Sequence, residues 1–395
     1  MPTVVLLGTL DTKGEEYAFL RDRLREHRVD VLLVDAGVHE PSVQPDIGRE
    51  ELAAGVAQLA AAGDRGAAVT AMAEGAERVV TQLHADGRLD GILALGGSGG
   101  SSIATRAMRA LPVGVPKLMV STVASGDTRP YVGAVDVTMM YSVVDIAGVN
   151  RVSARIMANA AGAIAGMVRA EVPQVAEKPL IGASMFGVTT PCVTRARERL
   201  EQHGYEVLVF HATGAGGQSM EALARGGFLA GVLDVTTTEL ADELVGGVLS
   251  AGPDRLEAAG EMGVPQVISL GALDMVNFGP RETVPAQFDA RNLYVHNPTV
   301  TLMRTTPDEC AELGRQIGRK LSAAKGATVL FIPLKGISMI SVEGQPFYDS
   351  AADDALIAGL HETLGPRVEV HELDTDINDP AFADAMADRI HELIA

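Results

Sequence analysis

The feature that most constrains this chain is a near-continuous alternation of short, β-rich apolar runs with stretches whose apolar residues recur at helical spacing. Candidate strands are Val4–Leu7, Val31–Val34, Gly91–Leu95, Lys117–Val120, Leu180–Ala183, Val207–Phe210, Gly231–Leu233, Gln266–Ser269, Val329–Ile332 and Val368–His371. Helical patterns such as Tyr17–Leu24, Val193–Leu200 and Phe382–Ile394 lie between or after them. Parallel strands can be joined only through a crossover, and a helix is the usual one, so this alternation predicts parallel sheets covered on both faces. At 395 residues the chain exceeds what one core usually encloses, and two domains are expected.

The chain also echoes itself. Strand, Gly8-Thr9-x-Asp11-Thr12, helix and Val31-Leu32-Leu33-Val34-Asp35 resembles strand, Gly187-Val188-Thr189-Thr190, helix and Val207-Leu208-Val209-Phe210-His211. Gly114-Val115-Pro116-Lys117-Leu118-Met119-Val120-Ser121 returns as Gly263-Val264-Pro265-Gln266-Val267-Ile268-Ser269. A duplication explains both echoes in one order. A long Ala- and Gly-rich helical stretch, Asn150 to Arg169, is followed by a linker at Glu171–Pro179. The fold expected is α/β: two Rossmann-like, doubly wound parallel-sheet domains, 1–175 and 176–395, with a cleft between them.

Composition narrows the partners. A formal charge of −19 without a basic patch argues against nucleic acid. No run reaches the roughly 20 apolar residues of a membrane helix, and the N-terminus enters a strand without a basic leader, so a cytoplasmic protein is expected. Cys192 and Cys310 make neither a disulfide scaffold nor a metal-ligand spacing. Cys192, near a helix start, is either a stabilised thiolate or a buried apolar residue.

In open α/β sheets ligands collect beyond the carboxyl ends of strands. After the first strand stand Gly8, Thr9, Asp11, Thr12 and Lys13, where backbone N–H groups, a helix start and an ammonium converge as a phosphate requires. The alternative is an ordinary turn capped by Asp11 or Thr12. Asp35, ending the second strand, is a ribose acceptor, a helix N-cap or an exposed turn acid. Gly96, Gly97, Ser98, Gly99 and Gly100 follow the third strand, and a helix is expected from near Ser101. Four glycines in five residues carry an entropic cost, which a close approach to a ligand would explain. After the fourth strand come Ser121, Thr122, Ser125, Gly126, Asp127 and Thr128. There Asp127 is the candidate Mg²⁺ ligand through water, or the head of an Asx turn.

The second half carries acid–base residue types at strand ends. His211, Glu239, Asp274 and His296 are the candidate reactive groups, with Arg304 as an anion holder. Each has an equally simple structural role open to it, and no reaction-defining spacing such as HExxH is present. The segment Met139–Met167, read as one helical surface with small and apolar residues on several sides, is expected at an interdomain or subunit interface.

Six motifs carry a family resemblance: Gly8-Thr-Leu-Asp-Thr-Lys-Gly-Glu15, Gly96-Gly-Ser-Gly-Gly100, Pro116-Lys-Leu-Met-Val-Ser-Thr-Val-Ala-Ser-Gly-Asp127, Met139-Met-Tyr-Ser-Val-Val-Asp-Ile-Ala-Gly148, Phe186-Gly-Val-Thr-Thr-Pro191 and Tyr294-Val-His-Asn-Pro298. Over essentially its whole length the chain resembles the uncharacterised bacterial and fungal family that shares the ATP-binding inhibitor domain of the tomato mosaic virus resistance protein. The resemblance implies ATP with Mg²⁺ in the N-terminal domain and self-association into a homodimer or larger oligomer. The plant member carries a further C-terminal barrel domain, so a separate barrel-domain protein is an expected partner here. The leading functional expectation is an enzyme of small-molecule metabolism acting on an unknown substrate in the interdomain cleft. The alternative is a nucleotide-dependent binding or regulatory protein without turnover.

Overall fold

A computed structural model describes residues 1–55, 64–171 and 178–395, and the chain divides into two compact units, Met1–Gln174 and Val175–Ala395. The expected linker Glu171–Pro179 falls largely on 172–177, outside the described residues.

In the N-terminal unit the strands β1 (Thr3–Gly8), β2 (Asp30–Asp35), β3 (Gly91–Gly96), β4 (Lys117–Ser121) and β5 (Thr138–Tyr141) pair in parallel in the order β2-β1-β3-β4-β5. Side chains alternate across a strand, and here both faces are covered. Val5 and Leu7 pack under the helices Arg65–Ala85 and Ser98–Arg109, while Val4 and Leu6 pack under Leu10–Glu26 and Arg151–Met167. Each of these four strand residues is fully buried, worth about 1.5–3 kcal/mol apiece against exposure.

The C-terminal unit repeats this plan. It comprises β6 (Leu180–Met185), β7 (Glu206–His211), β8 (Gly231–Thr236) and β9 (Gln266–Gly271), then an inserted group of β10 (Met275–Phe278), β11 (Leu293–Asn297) and β12 (Val300–Arg304), and finally β13 (Thr328–Pro333) and β14 (Glu369–Leu373). The parallel sheet runs β14-β13-β9-β8-β6-β7, and the insertion forms a separate antiparallel sheet, β10-β12-β11. Read from β7, the first four strands stand in the same order as in the other unit, and each sequence echo joins strands in equivalent places: β1 with β6, β2 with β7, β4 with β9.

All ten expected strands form, and among the described residues four more were not foreseen: β5 and the three of the insertion. Two readings need correction. Met139–Met167 is not one helix, because Met139 and Met140 belong to the edge strand β5 and the helix starts only at Arg151. Positive φ at Val143 (65°) and Gly148 (75°) breaks the chain between them, and the Asn150 side chain accepts from Val152 and Ser153 N–H to cap the new helix. His296 lies inside the antiparallel strand β11 rather than in a loop beyond a parallel strand.

Candidate functional site

The strand order of the N-terminal unit reverses between β1 and β3. The helix after β1 covers one face and the helix after β3 the other, so the two turns diverge and leave a crevice at their carboxyl ends. A cleft of about 470 Å³ lies there, lined by the β1 turn (Thr9, Asp11, Thr12, Lys13), the β2 turn (Ala36, Val38, His39), the β3 turn (Gly96 to Gly100) and by Ala68, Val69, Ile103 and Asp145.

Tyr17 fixes the base of the cleft. Its buried hydroxyl donates to the Leu7 carbonyl at 2.6 Å and accepts from Leu95 N–H at 2.9 Å, tying β1 to β3 just before their turns. A Cβ at Gly8 would sit 1.9 Å from the Tyr17 ring, so this ring requires glycine there. Beyond it the Thr9 and Thr12 hydroxyls pair at 3.0 Å, and Lys13 donates its ammonium to the Ile146 carbonyl. Asp11 Oδ2 accepts from Val38 and His39 N–H, while its buried Oδ1 has no partner among the described residues.

The β3 turn enters its helix at Ser98, three residues earlier than expected, with Gly97 extended at the cap. The N–H groups of Ser98, Gly99 and Gly100 have no acceptor among the described residues and mark the positive end of a 12-residue helix. None of Gly96, Gly97, Gly99 or Gly100 has positive φ, so torsional need is not their reason. Gly96 packs against Gly100, where a Cβ would come within 3.1 Å of its Cα, whereas a Cβ on Gly99 meets nothing within 4 Å. The glycines keep the helix start bare toward the cleft.

The remaining first-half candidates lie elsewhere. Asp35 is fully buried; its Oδ1 accepts from Leu10 and Gly37 N–H and holds the β1 helix start against the β2 turn, and burial pushes its carboxyl above the usual range. Ser121 is buried against Ser101, Oγ to Oγ at 2.6 Å, and Thr122 N–H donates to the Gly96 carbonyl. Ser125, Gly126, Asp127 and Thr128 do not line the cleft. The Arg129 guanidinium grips Asp127 at 2.7 and 2.9 Å and draws its carboxyl down to about 2. Among the described residues no group of three or more His, Cys, Asp or Glu side chains is placed to hold a metal ion. The cleft does fit Mg²⁺ carried on phosphate, which needs only one or two carboxylates, because Asp11 and Asp145 both face it.

The C-terminal candidates do not assemble into one site. Glu239 is sealed: its carboxylate accepts from Gly214 and Gly217 N–H at 2.7 and 3.0 Å and from Arg255 Nε at 2.7 Å, and burial raises its pKa. Arg304 is 5 % exposed and committed to Phe347 O, Thr305 Oγ1 and Asp353. Asp274 is fully buried, donated to by Ser338 Oγ with Oδ1 unpartnered, and burial pushes it up to about 6 despite Arg304 nearby. His211 and His296 are exposed; the His211 ring meets the Met185 carbonyl at 3.0 Å. No hydrogen bond joins any two of the five. Cys192 is buried, its thiol pushed up to about 12 by desolvation.

Sequence reasoning missed Asp145, hidden in a stretch misread as helix, and the wall formed by Val38, Ala68, Val69 and Ile103. Those apolar residues bear no chemical signature in sequence, and only the crevice gives them a role.

Residues 2–173 match the N-terminal domain, and residues 178–394 the C-terminal domain, of the uncharacterised protein family UPF0261. The chain belongs to this family. A member from Clostridium tetani is 55% identical over 394 residues, covering 98% of each chain, and one from Rhizobium meliloti is 49% identical over 391. The family pattern extends to tomato: the ToMV resistance protein of Solanum lycopersicum is 40% identical over 420 residues, spanning 99% of this chain and 56% of that one. Among solved structures, UDP-N-acetylglucosamine 2-epimerase from Rickettsia bellii overlaps 68% of this chain and 78% of its own, at 10% identity and a TM-score of 0.24. That overlap is too slight to inform either fold or function. Among the described residues no helix is long and apolar enough to cross a membrane.

Proposed function

We propose that the N-terminal unit binds a nucleoside polyphosphate, ATP with Mg²⁺, in the β1/β3 cleft, and that the protein is a nucleotide-dependent binding or regulatory protein. One observation carries this reading: the same cleft gathers the free amides of the Ser98 helix, the Lys13 ammonium, the Thr9 and Thr12 hydroxyls and an apolar wall of Val38, Ala68, Val69 and Ile103. Amides, hydroxyls and a point charge suit phosphate, and the apolar wall suits a base. Mg²⁺, when bound, supplies charge neutralisation between the phosphates and the carboxylates of Asp11 and Asp145. A thermal-shift comparison tests it. ATP with Mg²⁺ at a hundredfold excess over its dissociation constant should stabilise the N-terminal unit by about 2.7 kcal/mol. No shift with any adenine or guanine nucleotide, with or without Mg²⁺, overturns the reading.

Turnover is the second reading, and Asp274 favours it. Burial pushes its carboxyl up to about 6, and its Oδ1 has no partner among the described residues, features found in proton-transfer groups. Release of phosphate from ATP by the wild-type protein supports it; no release removes it. The proposal includes self-association, with the edge strand β5, its exposed Tyr141 and the exposed Val143 just beyond it as the interface. Light scattering that returns a 41.2 kDa monomer with and without ATP excludes it.

A further inference from the structure

The segment Ser142–Asn150 has a peculiar attachment. It leaves the edge strand β5, turns at Val143 with φ 65°, unusual for a β-branched residue, and turns again at Gly148 with φ 75°. Between those turns it is tied at two points to the helix that starts the cleft. Lys13 donates its ammonium to the Ile146 carbonyl, and the buried Glu16 accepts from Gly148 N–H at 2.7 Å. The residue between Val144 and Ile146 is Asp145, which lines the cleft. Lys13 lines it too, and is the only Lys or Arg among the described residues that does so. The one Lys or Arg lining the cleft among the described residues is thus also the tether of this segment.

We propose that Ser142–Asn150 is a strap that Lys13 draws down onto a bound polyphosphate, and that Asp145 makes its closure depend on the divalent cation the polyphosphate carries. An ammonium has three donors, and the Ile146 carbonyl uses one, which leaves two for phosphate without breaking the tether. A phosphate on Lys13 therefore adds a second anchor to the strap. Asp145 sets the opposite condition. Asp145 lines the same cleft, with its Oδ1 accepting from Ile146 N–H, so bare ATP pushes the strap away and the Mg²⁺ complex lets it close, one carboxylate plus phosphate oxygens being an ordinary Mg²⁺ environment. The inference rests on the nucleotide reading of the cleft and adds a moving part to it.

Hydrogen exchange of the full chain, followed by mass spectrometry over 142–150 and over 98–103, tests the strap. In the wild type, Mg²⁺·ATP at saturation should slow exchange of 142–150 about tenfold, the effect of one added charge-assisted hydrogen bond, and ATP with chelator should not. Without ligand, Lys13→Met should speed exchange there, and with Mg²⁺·ATP it should protect 98–103 while leaving 142–150 fast; Lys13→Gln serves as the same test if the Met variant misfolds. Asp145→Asn should close on ATP alone. Equal slowing in the wild type and the Lys13 variant, or equal slowing by ATP with and without Mg²⁺, overturns the strap. Absence of protection at 98–103 in every condition overturns the nucleotide reading instead, and the ligand-free Lys13 variant then still decides whether Lys13 holds the segment.

Discussion

The β1/β3 crevice of the N-terminal unit and the β6/β8 position of the C-terminal unit occupy the same place in the same strand order, yet one is open and the other is shut. In the first, Tyr17 ties the strands one residue before their ends, and the turns beyond it separate around a 470 Å³ cleft. In the second, the ties reach the strand ends: Thr236, the last residue of β8, donates its N–H to Ser184 Oγ in β6, and its hydroxyl pairs with that of Thr189, just beyond β6, at 2.7 Å. Behind them Arg255, 1 % exposed, gathers Asp234, Glu239 and Glu221. Similar residue types at equivalent strand ends thus line an open cleft in one unit and bond to one another in the other. A polar residue at a strand end signals a site only when its neighbours leave its hydrogen-bonding capacity unspent.

The largest expected effect comes from breaking the closed side. Arg255→Met strands three buried carboxylates and should destabilise the C-terminal unit by about 3–5 kcal/mol, read by urea denaturation of the full chain. A loss under 1 kcal/mol would mean that the carboxylates hold each other through shared protons. The matching change on the open side, Lys13→Ala, should leave denaturation nearly unchanged and weaken ATP by about tenfold to a hundredfold, with adenosine little affected. Calorimetry that shows equal losses for both ligands would assign Lys13 to folding.

Two glycines sharpen the contrast. At Gly217 a Cβ would fall 2.1 Å from Glu239 Oε2, so Gly217→Ala should cost about 1–3 kcal/mol of stability. At Gly99 a Cβ meets nothing, so Gly99→Val should keep the fold and lose the nucleotide, because the branched side chain fills the cleft. Unchanged ATP affinity in Gly99→Val would take the β3 turn out of the site.

The smallest effect is a slope. Burial pushes Asp242 up to about 7, while Asn277 and Leu249 N–H and the Asn277 amide pull the other way. The folded state holds that proton more tightly than the unfolded chain, so this group's contribution is full below pH 4 and is lost as pH rises toward 7. Asp242→Asn should remove that decline, at most about 1.4 kcal/mol per pH unit for one proton, in denaturation midpoints compared at pH 5 and pH 8. Parallel pH curves for variant and wild type would refute it.

Much of the cleft's outline was legible because the β1 and β3 turns announce themselves: Gly8 to Lys13 and Gly96 to Gly100 follow apolar strands. The same logic gave no sign that Asp35 and Glu239 hold backbone N–H groups, because a carboxylate in that role looks identical in sequence to one that awaits a ligand. It failed for Met139–Met167 because apolar periodicity continued across two positive-φ turns, one at a valine that sequence gives no reason to suspect.

Sequence alone determined the two parallel sheets, since fully apolar strands separated by helix-length crossovers have no other way to bury both faces. It also carried the repeat, visible as matched strand–turn–strand segments. Only the tertiary structure decided which of the two equivalent crevices stays open. That choice depends on where one tyrosine and two threonines meet across neighbouring strands, a contact between residues 78 apart for Tyr17 and Leu95 and 47 apart for Thr189 and Thr236. Side-chain hydrogen bonds over such separations are set by register and packing, which no local pattern along the chain encodes.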